Sequence, residues 1–198
     1  YVFGRRGPHT SLPNSLINYH KVDSPEDMLA YIARINDSYR YLSQYLDQAK
    51  QSAAAGIRAP YFDYEISMSQ SQRVITGEPF TSEEGDSAIW ADITAKIAAL
   101  EQGGKINPQE SQALYDAAQR ALLEAFKPAY NAILSWQASD IDNVSSKAKG
   151  VWALPNGELF YDYRLTQMTT LPLSAKDIHE TGLAEVARIP SEMETIKN

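Results

Sequence analysis

The sequence predicts an all-α fold, a multi-helix array of about five or six helices within a single helical region that spans residues 1–198. Apolar residues recur at alternating spacings of three and four along most of the chain, which is the pattern of amphipathic helices. Helix-capping residues precede these runs, and Gly or Pro follows or interrupts several of them. The 198 residues are 43% hydrophobic, which is enough for one substantial core.

The first 56 residues are predicted to form a loop and one long helix. Residues 1–23 contain several Gly and Pro without a sustained period, so we expect a loop there. For the helix at 24–56, Ser24 is a suitable N-cap and Pro25 suits the first helical position. Gly56 ends the pattern. The apolar positions of this helix are Met28, Ile32, Ile35, Tyr39, Leu42, Leu46, Ala49 and Ala53.

Three further helices are predicted in the middle of the chain, at residues 63–76, 82–102 and 108–138. Thr81 and Glu84 have the spacing of a capping box before the second of these helices. Asn107, Pro108 and Glu110 form a clearer start to the third. Pro128 lies inside that third helix and should kink it or open it locally, since it cannot donate to the carbonyl of Glu124.

The last part of the chain is predicted to be a turn followed by two helices. Pro155-Asn156-Gly157 indicates a turn within residues 150–157. Helices are expected at 158–168 and 175–197, the second with Ser174 and Asp177 as a cap. Pro190 interrupts the last pattern, so that helix either kinks near Arg188 or ends there.

Composition excludes several classes of function. Eighteen basic and twenty-five acidic residues give a formal net charge of −7, and without a cluster of Lys and Arg we expect no nucleic-acid partner. The chain has no Cys, which excludes disulfides and thiolate nucleophiles. No window has the ~20 apolar residues of a membrane span. The chain begins at Tyr1 without an initiator Met, so we expect an internal piece or a processed product.

Histidine does not form a recognisable metal motif. His179-Glu180 starts the zinc-binding pattern His-Glu-x-x-His, but Leu183 stands where the second ligand must be. A surface or packing role is therefore favoured for His179. His9 and His179 are only weak candidates for a site. We predict no catalytic residue and no metal ligand in this chain, and phosphate-loop and Gly-x-Ser-x-Gly motifs are absent.

An aromatic cluster is the one constellation with functional promise. Tyr161, Tyr163 and Arg164 are the candidate substrate-binding residues, because Tyr hydroxyls and a guanidinium can orient a carboxylate or a peptide carbonyl. On a helix Tyr163 and Arg164 share a face with Phe160, while Tyr161 points away. The alternative is that the aromatic residues pack where helices cross and that Arg164 pairs with a nearby acid. By residue type, Trp152, Tyr61, Phe62 and Tyr64 are assigned to the same cluster.

Several short motifs occur in a characteristic order along nearly the whole chain. They are Gly7-Pro8-His9-Thr10-Ser11-Leu12-Pro13, Ser24-Pro25-Glu26-Asp27, Tyr31-Ile32-x-Arg34, Ile75-Thr76-Gly77-x-Pro79-Phe80, Gly150 to Glu158, Tyr161-x-Tyr163-Arg164-Leu165, Thr169-Thr170, and Asp177-Ile178-His179-x-x-Gly182-Leu183-x-Glu185-Val186-x-Arg188-Ile189. In this order they resemble the bacterial domain of unknown function 885 family. Pro190 departs from the family pattern, which leaves open whether the last helix runs straight.

The resemblance implies the amino-terminal and central part of a larger, mostly helical, zincin-like protein. Such proteins are related to zinc metallopeptidases, often carry a secretory or lipoprotein signal, and have a His-Glu-x-x-Pro-Gly-His helix carboxyl-terminal to the region matched here. This chain is then a fragment without the catalytic motif. Zinc, a peptide substrate and a periplasmic or extracytoplasmic location are expected only for the full-length parent.

On this view the chain is a non-catalytic portion of a zinc-dependent peptidase or hydrolase and forms part of the substrate cleft. The missing carboxyl-terminal half, or a second copy of the chain, would cover apolar surface that a half-domain exposes. The alternative is a non-enzymatic helical binding or scaffold module.

Overall fold

The predicted all-α fold is confirmed. The computed structural model of the protein describes residues 1–82 and 85–197, and within these ranges the chain forms nine α-helices. A π-helical segment, Leu122–Phe126, and two short 3-10 helices, Ile141–Asn143 and Val151–Ala153, lie between them. The α-helices are α1 Pro8–Tyr19, α2 Pro25–Asn36, α3 Ser38–Ala54, α4 Tyr61–Val74, α5 Ala88–Gln102, α6 Pro108–Ala121, α7 Lys127–Asp140, α8 Gly157–Thr169 and α9 Ala175–Lys197.

The helices form two compact units. The first unit, Tyr1–Ala148, contains α1 to α7, and the second begins at Lys149 and contains α8 and α9. In the first unit α7 packs against α3 and α4, α6 packs against α2 and α5, and α1 packs against α4. The core of this unit includes the fully buried side chains of Met28, Tyr31, Ile35, Leu42, Ile93, Ile97, Leu122, Phe126, Tyr130 and Ile133.

The expected loop at residues 1–23 is wrong, because residues 8–19 form α1. Pro13 lies inside this helix and cannot donate to the carbonyl of His9, one turn earlier. The hydroxyl of Tyr130 donates to that carbonyl instead, at 2.7 Å. A hydrogen bond from a distant helix therefore satisfies the acceptor that Pro13 leaves without a backbone partner, and α1 continues past the proline.

The single long helix predicted at 24–56 is also wrong, since the chain forms α2 and α3 with a break at Asp37. Side chains of Asn, Asp and Ser compete with the backbone for hydrogen bonds, and Asn36-Asp37-Ser38 places three of them together. The break changes the buried face. Ser38 is 1% exposed, whereas Tyr39, which the predicted apolar face included, is 48% exposed.

Helix α5 begins at Ala88, six residues after the predicted start of the helix at 82–102. Ser87 is its N-cap and accepts a hydrogen bond from the backbone N–H of Trp90 at 3.3 Å. Glu84 of the predicted capping box lies outside the described residues. Gly77 starts the turn before this helix with φ of +86°, and a Cβ there would lie 2.7 Å from the carbonyl oxygen of Gly85, so the turn requires glycine.

Residues 108–138, predicted as one helix, form α6 and α7 with the π-helical segment Leu122–Phe126 between them. Asn107 accepts from the N–H groups of Gln109 and Glu110, each at 2.9 Å, and its own N–H donates to Glu110 at 2.8 Å. The π-helical turn immediately precedes Lys127-Pro128. Local opening next to Pro128 is what the missing proline N–H predicts.

The second unit exposes almost all of its side chains. Among the described residues α8 buries Gly157, and α9 buries none. Helix α9 continues through Pro190 to Lys197, so the alternative in which this helix ends near Arg188 is wrong. None of the helices in the two described ranges combines the length and the apolar character that a bilayer crossing requires.

Candidate functional site on the aromatic surface of the second unit

A tight approach between backbone segments positions the start of α8. The 3-10 turn Val151–Ala153 lies directly against Gly157, where a Cβ would be 1.9 Å from the carbonyl oxygen of Val151. Only glycine fits this contact. Asn156 precedes it in the left-handed region, with φ of 54°, and Asn tolerates that conformation better than most residues. The turn that the sequence predicts at 150–157 therefore holds the aromatic residues at fixed positions.

Tyr161 lines an open cavity of about 480 Å³ within the second unit. The ring of Trp152, from the 3-10 turn, lies on the same cavity, and so do the acidic residues Glu158 and Asp162 on α8. Ala175, the first residue of α9, lines the cavity too. Two aromatic rings and two carboxylates on one concavity suit a ligand with an apolar body and a positively charged or hydrogen-bond-donating group.

Tyr163 and Arg164 do not line this cavity. Both lie on α8 and contact Gln167, which donates from Nε2 to the hydroxyl of Tyr163 at 2.5 Å. Arg164 donates from Nη1 to Oε1 of the same Gln167 at 3.2 Å. The structure thus brings Tyr163 and Arg164 together and separates them from Tyr161, as the helical spacing predicts.

The candidate residues are exposed and do not fill a core. Tyr161 is 45% exposed and Tyr163 is 58% exposed, and Arg164 pairs with an amide and not with an acid. Phe160 is exposed as well. Their role in binding a substrate stays a prediction.

The two weaker candidates, His9 and His179, lie in different environments. His9 is fully buried in the first unit, with Nε2 3.0 Å from Oε1 of Gln70 and 3.4 Å from Oγ of Ser67. Burial lowers the pKa of His9, because the charged imidazole would lose its hydration, and the hydrogen bond to Gln70 opposes this only in part. His179 is exposed on α9.

Metal-ligating side chains do not converge in the part of the chain that the structure describes. Within residues 1–82 and 85–197, no group of three His, Cys, Asp or Glu residues is arranged to hold a metal ion. The described residues therefore do not fit a zinc ion, whose protein sites take at least three such ligands.

Sequence reasoning missed two members of the cavity, Glu158 and Asp162. Glu158 lies three residues before Tyr161, a spacing that makes side chains neighbours on a helix, so a signal for it was available. Asp162 directly follows Tyr161, and helical spacing gives no signal for it. Tyr64, which residue type assigns to the aromatic cluster, lies elsewhere. Tyr64 is buried in the first unit and donates to Asp140 at 2.7 Å.

Fold and surface together define an all-α protein with an exposed aromatic and acidic concavity. The chain belongs to the bacterial family described as "Bacterial protein of unknown function (DUF885)", which it matches over residues 2–198. The comparison with curated proteins yields no match.

A solved structure has the same fold. The chain is similar to the crystal structure described as "the putative lipoprotein from Colwellia psychrerythraea", with a TM-score of 0.82 and 20% sequence identity. The similarity covers 99% of this chain and 32% of the other, so this chain spans about a third of the length of that protein. At this level of identity the likeness establishes the fold alone.

Proposed function

We propose that this chain is the non-catalytic portion of a longer zinc-dependent peptidase or hydrolase and forms one wall of the cleft that holds a peptide substrate. The observation that carries the proposal is the cavity of Trp152, Glu158, Tyr161 and Asp162, which presents aromatic rings and carboxylates to solvent on a tight turn and the helix that follows it. Family membership over residues 2–198 supports the choice of a peptidase-like parent through the resemblance described above.

Zinc belongs in this proposal to the part of the longer protein that lies outside this chain. The described side chains do not fit the ion, so no chemical step is assigned to them. Their contribution is to bind and orient. Aromatic faces give apolar contact to a peptide side chain, and the carboxylates of Glu158 and Asp162 attract an ammonium or guanidinium group.

Tyr163 and Arg164 are proposed to extend the same wall beyond the cavity. The Tyr hydroxyl and the guanidinium are donors that suit peptide carbonyl oxygens. Gln167 joins the two side chains, which reduces the side-chain entropy that binding would otherwise cost.

A second part of the proposal concerns the apolar stripe of α9, which consists of Val186, Ile189, Met193 and Ile196. These side chains are between 46% and 86% exposed. We assign the stripe to an internal contact with the remainder of the longer protein, an assignment that the threefold greater length of the similar lipoprotein supports. An extracytoplasmic location for the parent likewise rests on the resemblance and on the name of that protein.

The binding role of the cavity is tested on this chain by NMR. Tripeptides of sequence Ala-Lys-Ala and Ala-Glu-Ala with blocked termini are titrated while the indole N–H of Trp152 is followed. We expect saturable shifts with the Lys peptide, and binding weaker by at least about tenfold for the Glu peptide because of the two carboxylates. The variant Glu158→Gln with Asp162→Asn should remove the difference between the two peptides.

The control replaces two acids away from the cavity, Asp47→Asn with Asp116→Asn, and should leave the preference for the Lys peptide intact.

In the longer protein, Arg164→Ala should raise KM or lower kcat for peptide hydrolysis without unfolding the protein. Unchanged kinetics in a folded Arg164→Ala variant would remove that residue from the cleft. Peptide binding by this chain, in a longer protein that lacks hydrolytic activity and the His-Glu-x-x-Pro-Gly-His motif, would instead support the binding or scaffold module.

A further inference from the structure

A second cavity lies in the first unit, remote in sequence from the aromatic surface of α8. It has a volume of about 290 Å³, at the lower end of the range for small-molecule sites. The walls come from the first residues of the chain, from α3 and the segment after it, and from α4 and α7. The residues that line the cavity include Tyr1, Ser52, Arg58, Tyr64, Trp136 and Gln137.

Three polar side chains of the cavity wall, Arg58, Tyr64 and Gln137, already have hydrogen-bond partners behind the wall. Arg58 donates from Nε and Nη2 to the two carboxylate oxygens of Asp140, each at 2.9 Å. Tyr64 donates to the same carboxylate at 2.7 Å, and Asn143 donates to it at 3.1 Å. Gln137, which is 1% exposed, exchanges hydrogen bonds with the hydroxyl of Ser67. These contacts hold the side chains at the cavity wall in one arrangement.

The carboxylate of Asp140 stays ionised in this arrangement. Burial alone would raise the pKa of Asp140, but the hydrogen bonds from Arg58, Tyr64 and Asn143 together outweigh burial and leave the pKa below its ordinary value. The positive charge of Arg58 therefore faces a full negative charge. Arg58 and Asp140 together carry no net charge, so the pair favours neither a cationic nor an anionic ligand.

Arg58 keeps N–H groups that Asp140 does not use. The guanidinium of Arg58 has five N–H groups, and its Nη1 forms no hydrogen bond within the described residues. The bidentate contact with Asp140 fixes the plane of the guanidinium, so Nη1 is a preorganised donor. Beside it, Tyr64 and Trp136 supply aromatic surface, with ring centroids 6.2 Å apart.

We infer that the cavity of Arg58, Tyr64 and Trp136 binds a small uncharged molecule that has an apolar ring and a carbonyl oxygen, with the carbonyl accepting from Arg58 Nη1. An aromatic carboxamide has this chemistry. The volume excludes a large ligand, the aromatic walls favour a ring, and the neutral ion pair favours a dipolar acceptor over a charge.

Benzamide, benzoate and benzylamine are matched probes for this site, since they share the ring and differ in charge. Each is titrated into the 198-residue chain while the indole N–H of Trp136 is followed by NMR. Benzamide is expected to give saturable shifts and a Kd at least about tenfold lower than either charged probe. An intermolecular NOE between the benzamide ring and Trp136 is expected in the wild-type chain.

The substitution Ser52→Leu fills the cavity from α3 without removing a hydrogen bond, because the Ser52 hydroxyl forms none within the described residues. It should weaken benzamide binding at least about tenfold. Gln48→Leu adds the same side chain to an exposed position on α3 and should leave binding unchanged. The absence of saturable shifts or of the NOE in the wild-type chain, equal affinity for a charged probe, or unchanged binding in folded Ser52→Leu would each overturn the inference.

Discussion

The hydroxyl of Tyr130 completes the hydrogen bonding of α1. Pro13 leaves the carbonyl of His9 without its backbone donor, and Tyr130 donates to this buried oxygen at 2.7 Å. Tyr130 is itself fully buried, and burial raises the pKa of its hydroxyl, so the group stays protonated and remains a donor. A single phenol therefore compensates for a proline in another helix.

Removing this hydroxyl should destabilise the first unit. In Tyr130→Phe the His9 carbonyl loses its donor while it stays buried, which costs about 1–3 kcal/mol of unfolding free energy. Urea denaturation followed by circular dichroism measures the change. Tyr39→Phe removes the same group from an exposed ring, 48% accessible, and should change stability by no more than about 0.5 kcal/mol.

A double-mutant cycle isolates the link between Tyr130 and Pro13. In Pro13→Ala the new backbone N–H can donate to the His9 carbonyl, so Tyr130→Phe should cost less in that background than in the wild type. Equal costs in the two backgrounds would show that the hydroxyl does not compensate for the proline.

At the scale of elements, three predicted helix starts are confirmed by contacts between residues that are close in sequence. Ser24, Asn107 and Ser174 each accept a hydrogen bond from an N–H group in the first turn of the helix that follows. Capping involves residues two or three positions apart, so the sequence contains the whole interaction. The effect of Pro128 is local as well, because the π-helical segment Leu122–Phe126 ends two residues before it.

The cap of α6 supports a measurable prediction. Asn107→Ala leaves the N–H groups of Gln109 and Glu110 without their 2.9 Å acceptor, which should cost about 0.5–2 kcal/mol. Thermal and urea unfolding measure the loss. Gln119→Ala, at an exposed position inside the same helix, serves as the control and should be neutral within about 0.5 kcal/mol. A cost no greater than that of the control would mean that solvent satisfies these groups.

Elements with distant partners could not be predicted from the sequence. Helix α1 depends on Tyr130, 121 residues away, and without that contact the Gly and Pro content of residues 1–23 indicates a loop. The cavity of Arg58, Tyr64 and Trp136 could not be predicted for the same reason, because the paired residues Arg58 and Asp140 are 82 residues apart. On α8, by contrast, helical spacing was sufficient to separate Tyr161 from Tyr163 and Arg164, although it did not reveal the cavity that Tyr161 shares with Glu158.

Over the whole molecule, burial is concentrated in the first unit. Helices α2 to α7 each bury at least three residues, whereas α9 buries none of its described side chains. Helical stability in proteins comes mainly from packing of an apolar face and less from intrinsic propensity. The second unit by itself is therefore the less stable part of this chain.

Hydrogen exchange should reveal this contrast. Backbone amides of α9 are expected to exchange on the order of a hundredfold or more faster than those of α7 in the same sample. Mass spectrometry of peptides from residues 127–140 and 175–197 measures both, with α7 as the internal reference. Equal protection of the two helices across a dilution series would contradict the expectation, while protection of α9 that falls on dilution would indicate a second copy on its apolar stripe.

The contact between Tyr130 and His9 also has a consequence for the order of events during synthesis. Helix α1 is translated before α7, yet the donor for its His9 carbonyl is a side chain of α7. The hydrogen bonding of α1 cannot be complete until Tyr130 has left the ribosome and the chain between the two residues has closed, and that closure carries an entropic cost. Helix α1 is thus made before its hydrogen-bond donor and is secured only after most of the first unit exists.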